Sequence, residues 1–421
     1  MAKSSKAPLL IIFVTVFIDL LGFGIVLPLL PRYGEHFHAN GWTLGALMAV
    51  FSAMQFVFAP IWGRISDRVG RRPILIVGLG GSTMFYALFG YATSLGNDGM
   101  LLGWGALTWL FVSRIGAGIA GATIPTAQAY IADSTGSKER AKGMALIGAA
   151  FGIGFTFGPL LGAAFVSAEA DGPPSAAPGY VAAVLSGIAL LSAIFVLPES
   201  LKPGSTPTDH HWFDLGSFRR ALTKPAIRAI LLTMFLTTFA FSQFESTLSL
   251  LTKALGLAPR YNFYVFAYVG FVLTLAQGIL VRRLVPRLGE FKMALAGTIL
   301  MVVGLLLIGQ TSDSNSRALL YAVLPICVVG FSALTPSLLA MLSLRTDETE
   351  QGGVLGLGQS MSALARILGP MVGIPLFKHT MHLAYWEAAG VMGIGVLLVL
   401  GLRPKAADDS ASTAEENPPA T

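Results

Sequence analysis

Apolar residues run along this chain in stretches of about twenty, separated by short polar clusters. Roughly 20 apolar residues carry a helix across the hydrocarbon core of a bilayer. Twelve stretches reach that scale, near 9–31, 43–62, 74–95, 104–132, 143–167, 179–197, 226–251, 262–284, 292–310, 317–344, 353–377 and 383–402. Each predicts a transmembrane helix. The densest polar interruption is Gly63-Arg64-Ile65-Ser66-Asp67-Arg68-Val69-Gly70-Arg71-Arg72-Pro73, with four cations and one carboxylate. Such a cluster cannot rest in hydrocarbon, so it predicts a tight loop at a membrane surface.

The distribution of cations orients the helices. With the N-terminus placed inside, the connections on that side hold 21 Lys and Arg, against five on the other (Arg32, Lys253, Arg260, Arg317 and Lys378), with Arg114 and Arg366 inside helices. Lys and Arg collect on the cytoplasmic side. The expectation is a multi-pass protein of the cell (inner) membrane with both termini cytoplasmic. Lys3 and Lys6 ahead of the first run resemble a signal peptide, but the run is too long and lacks a small-residue cleavage site, so it reads as a retained helix.

Composition narrows the class. The chain is 54% hydrophobic and 12% charged, against about 25% charged in soluble domains. A soluble enzyme is excluded, and the net charge of +6 is scattered over short loops rather than gathered into a nucleic-acid surface. One cysteine, Cys327, allows no internal disulfide. No metal or cofactor motif is present: His210 and His211 have no ligand-spaced partners, and there is neither a P-loop nor a nucleophile elbow. The expected partners are a small molecule, protons and the lipid bilayer, with the protein a monomer.

The chain divides into two six-helix bundles, 1–198 and 226–403, in an all-α membrane fold. Residues 199–225 form the linker, with a possible surface helix around Trp212–Leu222. The polar tail, 404–421, predicts disorder. An internal repeat supports the halves. Gly158-Pro159-Leu160-Leu161-Gly162 recurs as Gly369-Pro370-Met371-Val372-Gly373, and Pro125 recurs as Pro336. Repeat-built transporters carry such paired Gly/Pro interruptions.

Ionisable groups within helices are costly and mark function. Asp19 and Arg114 lie at similar depth, about 15 Å from either surface at 1.5 Å per residue. They can pair, either as a proton-coupling switch or as a static lock between their helices. Arg114, Gly118, Gly121, Pro125 and Gln128 share one helix face. The G-x-G-x-x-G at Gly116–Gly121 follows no strand and reads as helix packing. Gly154, Gly158 and Gly162 at spacing four allow close backbone approach, as plain packing or as a sliding seal between the halves. Phe241, Gln243, Glu245, Gln359 and Arg366, with Gln128, are candidates to line a substrate cavity. Glu245 could instead be solvated at the outer mouth, and Gln55 and Gln277 could simply bond between helices.

The Gly63–Pro73 stretch resembles the loop signature G-x-x-x-D-R-x-G-R-[RK] of the major facilitator superfamily, with every position present. Arg114 with Gly118 resembles that family's fourth-helix motif, and Gly154-x-x-x-Gly158-Pro159-x-x-Gly162 its antiporter motif, although Ala145 and Ala163 depart from it. The run from Asp19 to Pro31 resembles the first helix of tetracycline-efflux-like drug/proton antiporters. The resemblance implies two bundles related by a pseudo-two-fold axis and alternating access about a midplane site. It implies proton coupling through Asp19 and Arg114. It also implies a cytoplasmic gate of Gly63, Asp67, Arg68, Gly70, Arg71, Arg72 and Asp133, in which Asp67 meets the start of the eleventh helix and Arg71 pairs with Asp133. The matching second-half loop, Gly278–Gly289, has no aspartate, which predicts a weaker gate there. The expected function is proton-driven export of a hydrophobic or amphipathic small molecule. An importer of a metabolite, or a non-transporting sensor on the same fold, are the alternatives.

Overall fold

The computed structural model describes residues 7–135, 140–169, 172–201, 223–314, 316–346 and 351–403. The linker helix around Trp212–Leu222, His210, His211 and the 404–421 tail lie outside the described residues. The helices are α1 (Ala7–Val26), α2 (Leu30–His36), α3 (Gly41–Val69), α4 (Arg71–Ser94), α5 (Ala106–Ala120), α6 (Ile124–Ser134), α7 (Arg140–Gly162), α8 (Ala177–Phe195), α9 (Pro225–Ala254), α10 (Pro259–Leu275), α11 (Arg282–Leu288), α12 (Glu290–Ser314), α13 (Arg317–Leu344), α14 (Gln351–His379) and α15 (Leu383–Leu400). Among the described residues, eleven helical segments are long and apolar enough to cross a membrane, and a shorter apolar stretch, Ala149–Phe165, lies in and just beyond α7.

Three predicted helices are interrupted, the first and fourth beside prolines that break the backbone ladder and the eighth by a π-helical segment. The first ends at Val26 because Pro28 and Pro31 follow; α2 then starts with Pro31 in its first turn, where a missing N–H costs nothing. The fourth begins later than expected. Met100–Leu101 and Trp104–Gly105 form a two-strand antiparallel hairpin, turned by Leu102 and Gly103 at φ 52° and 80°. The same run breaks again at Gly121–Thr123, a 3₁₀ turn ahead of Pro125. The eighth passes through a π-helical segment, Ala276–Val281, before α11.

The first half packs α1 on α7 and α8, α4 on α5 and α8, and α3 on α5. The second packs α12 on α13 and α15, and α9 on α14 and α15. The halves meet through α3 against α14 and α7 against α10. Glycine sets these approaches. A Cβ on Gly158 would come within 2.9 Å of the Leu21 carbonyl, and one on Gly24 within 2.8 Å of the Gly154 carbonyl. The Gly154/Gly158 face therefore packs on α1 inside its own half, not at the seam between halves. Gly162 is the motif glycine that reaches across, where a Cβ would meet the Phe263 ring of α10 at 2.5 Å.

The α3–α14 pair is tight at one end only. A Cβ on Gly45 would stand 2.9 Å from the Pro370 carbonyl, and one on Gly41 3.2 Å from Pro375. Gly63 lies on the same face of α3 as Gly45, about five turns on, and Gly356 lies near the Pro370 face of α14, about four turns away. A Cβ on Gly63 or Gly356 would meet nothing within 4 Å. The two helices thus diverge toward the end that carries the Gly63–Pro73 stretch, here called the loop end; the other is the far end.

Gly158→Ala should lower stability by about 1–3 kcal/mol through overpacking, read as a drop in Tm of the purified protein. Gly390→Ala, whose Cβ meets nothing within 4 Å, should leave Tm unchanged or slightly raised.

Candidate functional site

Asp19 sits in the middle of α1. Packing of Gly22 against α8, with the Ala182 carbonyl 3.3 Å from a Cβ placed there, turns this face toward α8 and α4. The Ser186 hydroxyl donates to Asp19 Oδ1 at 2.8 Å, and Ser82 of α4 supplies a second hydroxyl. Both serines are buried. The carboxyl is therefore held by neutral donors.

Arg114 of α5 is 2% exposed. Its guanidinium lies over the Phe51 ring of α3, 4.2 Å from the centroid, and its Nε and Nη1 have no hydrogen-bond partner. The ion pair expected between Asp19 and Arg114 is not formed. The two side chains leave their helices toward different neighbours, Asp19 to the serines and Arg114 to the aromatic face. Tyr86, one turn from Ser82 on α4, lies within electrostatic reach of both. Ser82, Tyr86 and Ser186 were not singled out from sequence; only the i, i+4 spacing of Ser82 and Tyr86 hints at a shared face.

The break between α5 and α6 is closed by α3. Pro125 has no N–H, so the Gly121 carbonyl four residues earlier loses its helical donor. The Gln55 Nε2 donates to that carbonyl at 3.2 Å, and the Trp62 Nε1 to the Ile119 carbonyl at 2.7 Å. Gln55 is thus a structural amide. Gln128 is exposed, beyond the break that separates it from the Arg114 face.

In the second half, Glu245 of α9 and Arg366 of α14 are within electrostatic reach without a direct ion pair. Arg366 and Gln359 are exposed, two turns apart on one helix face. Phe241, one turn from Glu245, stacks on Phe331 of α13 with centroids 3.8 Å apart. Gln243 points elsewhere: its Nε2 donates to Glu387 Oε2 of α15 at 2.8 Å, and its buried Oε1 has no partner. Glu387 escaped the sequence reading because it lies only five residues into the last apolar run, where it reads as a boundary charge.

At the loop end, helix α3 continues to Val69, so Gly63 is helical and makes no turn. The reversal is Gly70 alone, at φ 115°, a conformation that glycine adopts without strain. Arg71 is buried and gathers three partners: Asp67 Oδ1, Ser66 Oγ at 2.8 Å, and Asp133 Oδ2 at 3.1 Å. Asp67 is thus engaged by Arg71 of its own stretch, and among the described residues it does not touch the start of α14, whose preceding residues 347–350 lie outside the description. Arg72 donates to the Ile194 carbonyl at 2.5 Å, and Arg68 is exposed. Glu199, also missed in the sequence, caps α4. Its carboxylate accepts from the Arg71 and Arg72 N–H groups at 2.9 and 3.1 Å, where the helix dipole favours an anion. All of these contacts lie within the first half or join it to Glu199, the first residue of the linker.

The far end is joined across the halves. Arg32, buried in α2, donates to the Ser249 carbonyl at 3.3 Å, Thr252 Oγ1 at 3.1 Å and the Leu257 carbonyl at 2.9 Å. The Pro28 carbonyl accepts from Ser249 Oγ at 2.8 Å and Asn262 Nδ2 at 3.0 Å. Glu35 takes Lys253 at 2.7 Å and also Lys378. Among the described residues, hydrogen bonds and ion pairs between the halves occur only at this end.

Two packed halves of membrane-spanning helices, with charged groups held at interior depth and a seam sealed at one end, define a polytopic membrane transporter. The chain belongs to the Major Facilitator Superfamily, whose model matches residues 12–370; it is a transporter and not an enzyme. It is 31% identical to the tetracycline resistance protein, class C, of Escherichia coli over 414 residues, covering 94% of this chain and 96% of that protein. It is 28% identical to multidrug resistance protein 2 of Bacillus subtilis, covering 97% and 98%. The crystal structure of the human organic anion transporter MFSD10 (TETRAN) superposes with a TM-score of 0.68 at 25% identity, covering 95% of this chain and all of that one.

Glu199→Gln, which removes the charge at the α4 N-terminus, should cost about 1 kcal/mol, measured as a lowered Tm. Glu169→Gln, another exposed carboxylate of the first half, should leave Tm where it is.

Proposed function

We propose that this transporter is a proton-coupled exporter of hydrophobic or amphipathic small molecules that works by alternating access. The observation that carries the reading is the Asp19 group. A carboxyl within the α1 span, held by two serine hydroxyls away from an unpaired guanidinium, has no structural need that an amide would not meet. Protonation removes its charge while leaving Ser82 and Ser186 able to reorient, so the proton changes what α1 asks of α4 and α8. The similarity to tetracycline and multidrug resistance proteins supports an amphipathic cargo, and Phe241, Phe331, Glu245, Arg366 and Gln359 offer aromatic and charged contacts for it.

Taking the cation-rich loop end as cytoplasmic, the far-end seal faces outside and the structure is inward-open. The Arg71 knot, in this reading, is a half of a gate waiting for its partner: Asp67 would exchange Arg71 for the start of α14 when the cytoplasmic ends of α3 and α14 close. The two halves would then be residues 1–198 and 226–403, moving as units about the α3–α14 and α7–α10 seams. The drive is about 1.4 kcal/mol per pH unit and about 2.3 kcal/mol per 100 mV for each charge moved.

In inside-out vesicles with an acidic lumen, the wild-type protein should accumulate tetracycline or ethidium. Asp19→Asn should reduce that accumulation at least tenfold while retaining counterflow exchange of the same compound. Undiminished proton-driven accumulation by Asp19→Asn removes Asp19 from the coupling; reversed direction of flux in the wild type removes export.

A further inference from the structure

At the far end, a cavity of about 710 Å³ opens between the tips of α2, α9 and α14 and the turn leading into α15. Small-molecule sites fall in this size range, about 300–1,000 Å³. Its floor is apolar, with Leu250 and Phe377, while Lys253, Lys378, His379 and His382 stand around it. Among the described residues the one carboxylate on its wall is Glu35. Each Glu35 oxygen takes one ammonium, Oε2 from Lys253 and Oε1 from Lys378. One anion thus serves two cations from two helices of the other half, and the rim keeps a positive excess above a greasy floor.

We propose that this cavity is a binding site for amphipathic organic anions, in which the ligand's acid group takes the place of Glu35 between Lys253 and Lys378 and so releases the far-end clasp. The geometry fits the exchange. Among the described residues Glu35 is the only group of the first half on the cavity wall, so its displacement undoes this part of the seal while both lysines remain paired. Lys253 and Lys378 are about two-fifths exposed along their side chains, and ion pairs so open to water are weak, about 0–1 kcal/mol. A second carboxylate with an apolar tail buried on Leu250 and Phe377 can therefore compete. The Arg32 bonds are buried and remain as the inner part of the seal, so the anion loosens the far end without substituting for transport. The site is separate from the Asp19 group and stands or falls independently of proton coupling and of the direction of transport.

The test uses the full-length protein in phosphatidylcholine nanodiscs. Spin labels are placed on cysteines introduced at Asn97 and Ala318, exposed far-end positions of the two halves; the native Cys327 is buried. Distances are read by pulsed electron resonance during titration with octanoate, with octylammonium and octanol as controls. Octanoate should shift the population toward a longer Asn97–Ala318 distance, and the controls should not. Lys253→Gln/Lys378→Gln should weaken the octanoate response at least tenfold. Glu35→Gln should lengthen the distance without any ligand. The charge-exchanged Glu35→Lys/Lys253→Glu/Lys378→Glu protein should regain the short distance, which shows that the variants fold. A parallel set of discs containing phosphatidylglycerol separates the sources: a distance already lengthened before octanoate identifies the anion as a lipid headgroup, and an unchanged octanoate response identifies it as a free amphiphile. Equal responses to octanoate and octylammonium, or a wild-type octanoate response in the double lysine variant, overturn the proposal.

Discussion

A polar group inside hydrocarbon must be answered by another polar group, because no water is there to answer it. That constraint organises this chain more than side-chain volume does. Pro125 strips the Gly121 carbonyl of its donor, and the bond from Gln55 fixes α3 against α5 at that level. Serine and threonine within the helices return their hydroxyls to the carbonyl three or four residues back, as at Thr15, Thr156, Thr233 and Ser332. Those hydroxyls are silent. The exceptions carry the interest. Arg114 has only an aromatic face, Gln243 keeps an unbonded oxygen, and Asp19 is answered by serines that a neutral carboxyl would also satisfy. A buried group that is left partly unanswered is costly, and Arg114 and Gln243 are two such groups among the described residues.

Backbone proximity decides which seams can move. Gly24, Gly154 and Gly158 let α1 and α7 touch backbone to backbone, and packing at that distance is unforgiving of relative rotation. The α3–α14 seam has the same intimacy at Gly41 and Gly45 and none at Gly63 and Gly356. The first half is therefore tightly built within itself, while its contact with the second is a hinge-like line that closes at one end.

The spans were legible because hydropathy over twenty residues averages out local detail. The breaks were less so. Pro28 and Pro125 are visible as helix breakers, yet membrane helices tolerate proline often enough that position alone does not say where the chain will turn. The π segment at Ala276–Val281 has no sequence mark. For Asp19 and Arg114 direction was not legible: a helix tells which residues share a face, not which neighbour that face meets. The Asp19–Arg114 pair failed on that point, and Ser82 and Ser186 could be found only once α4 and α8 were in place. Glu199, Glu387 and Glu35 share another reason for escaping notice. Each lies near the end of an apolar run, where a charge reads as a boundary, and the fold brings it onto a helix terminus, an amide or a pair of lysines.

The two ends of the molecule solve the same problem in opposite ways. At the loop end, Arg71 takes Asp67 and Asp133 from its own half, and the Arg71 N–H takes Glu199, so none of these four groups draws its bond from the second half. At the far end, Arg32, Pro28 and Glu35 take their partners from the second half, and parting them exposes a guanidinium, a carbonyl and three charges at once. Water can answer all of these as it enters, since they lie at the ends of the spans and not at their centre. In the proposed cycle, neither opening requires an unpaired group to remain dry. The difference in free energy between the two states then rests on a few exposed or half-exposed ion pairs and on the buried bonds of Arg32. In that proposed cycle the proton on Asp19 acts on the helices of the first half, while an anion between Lys253 and Lys378 acts on the exposed part of the far-end seal and leaves the Arg32 bonds in place.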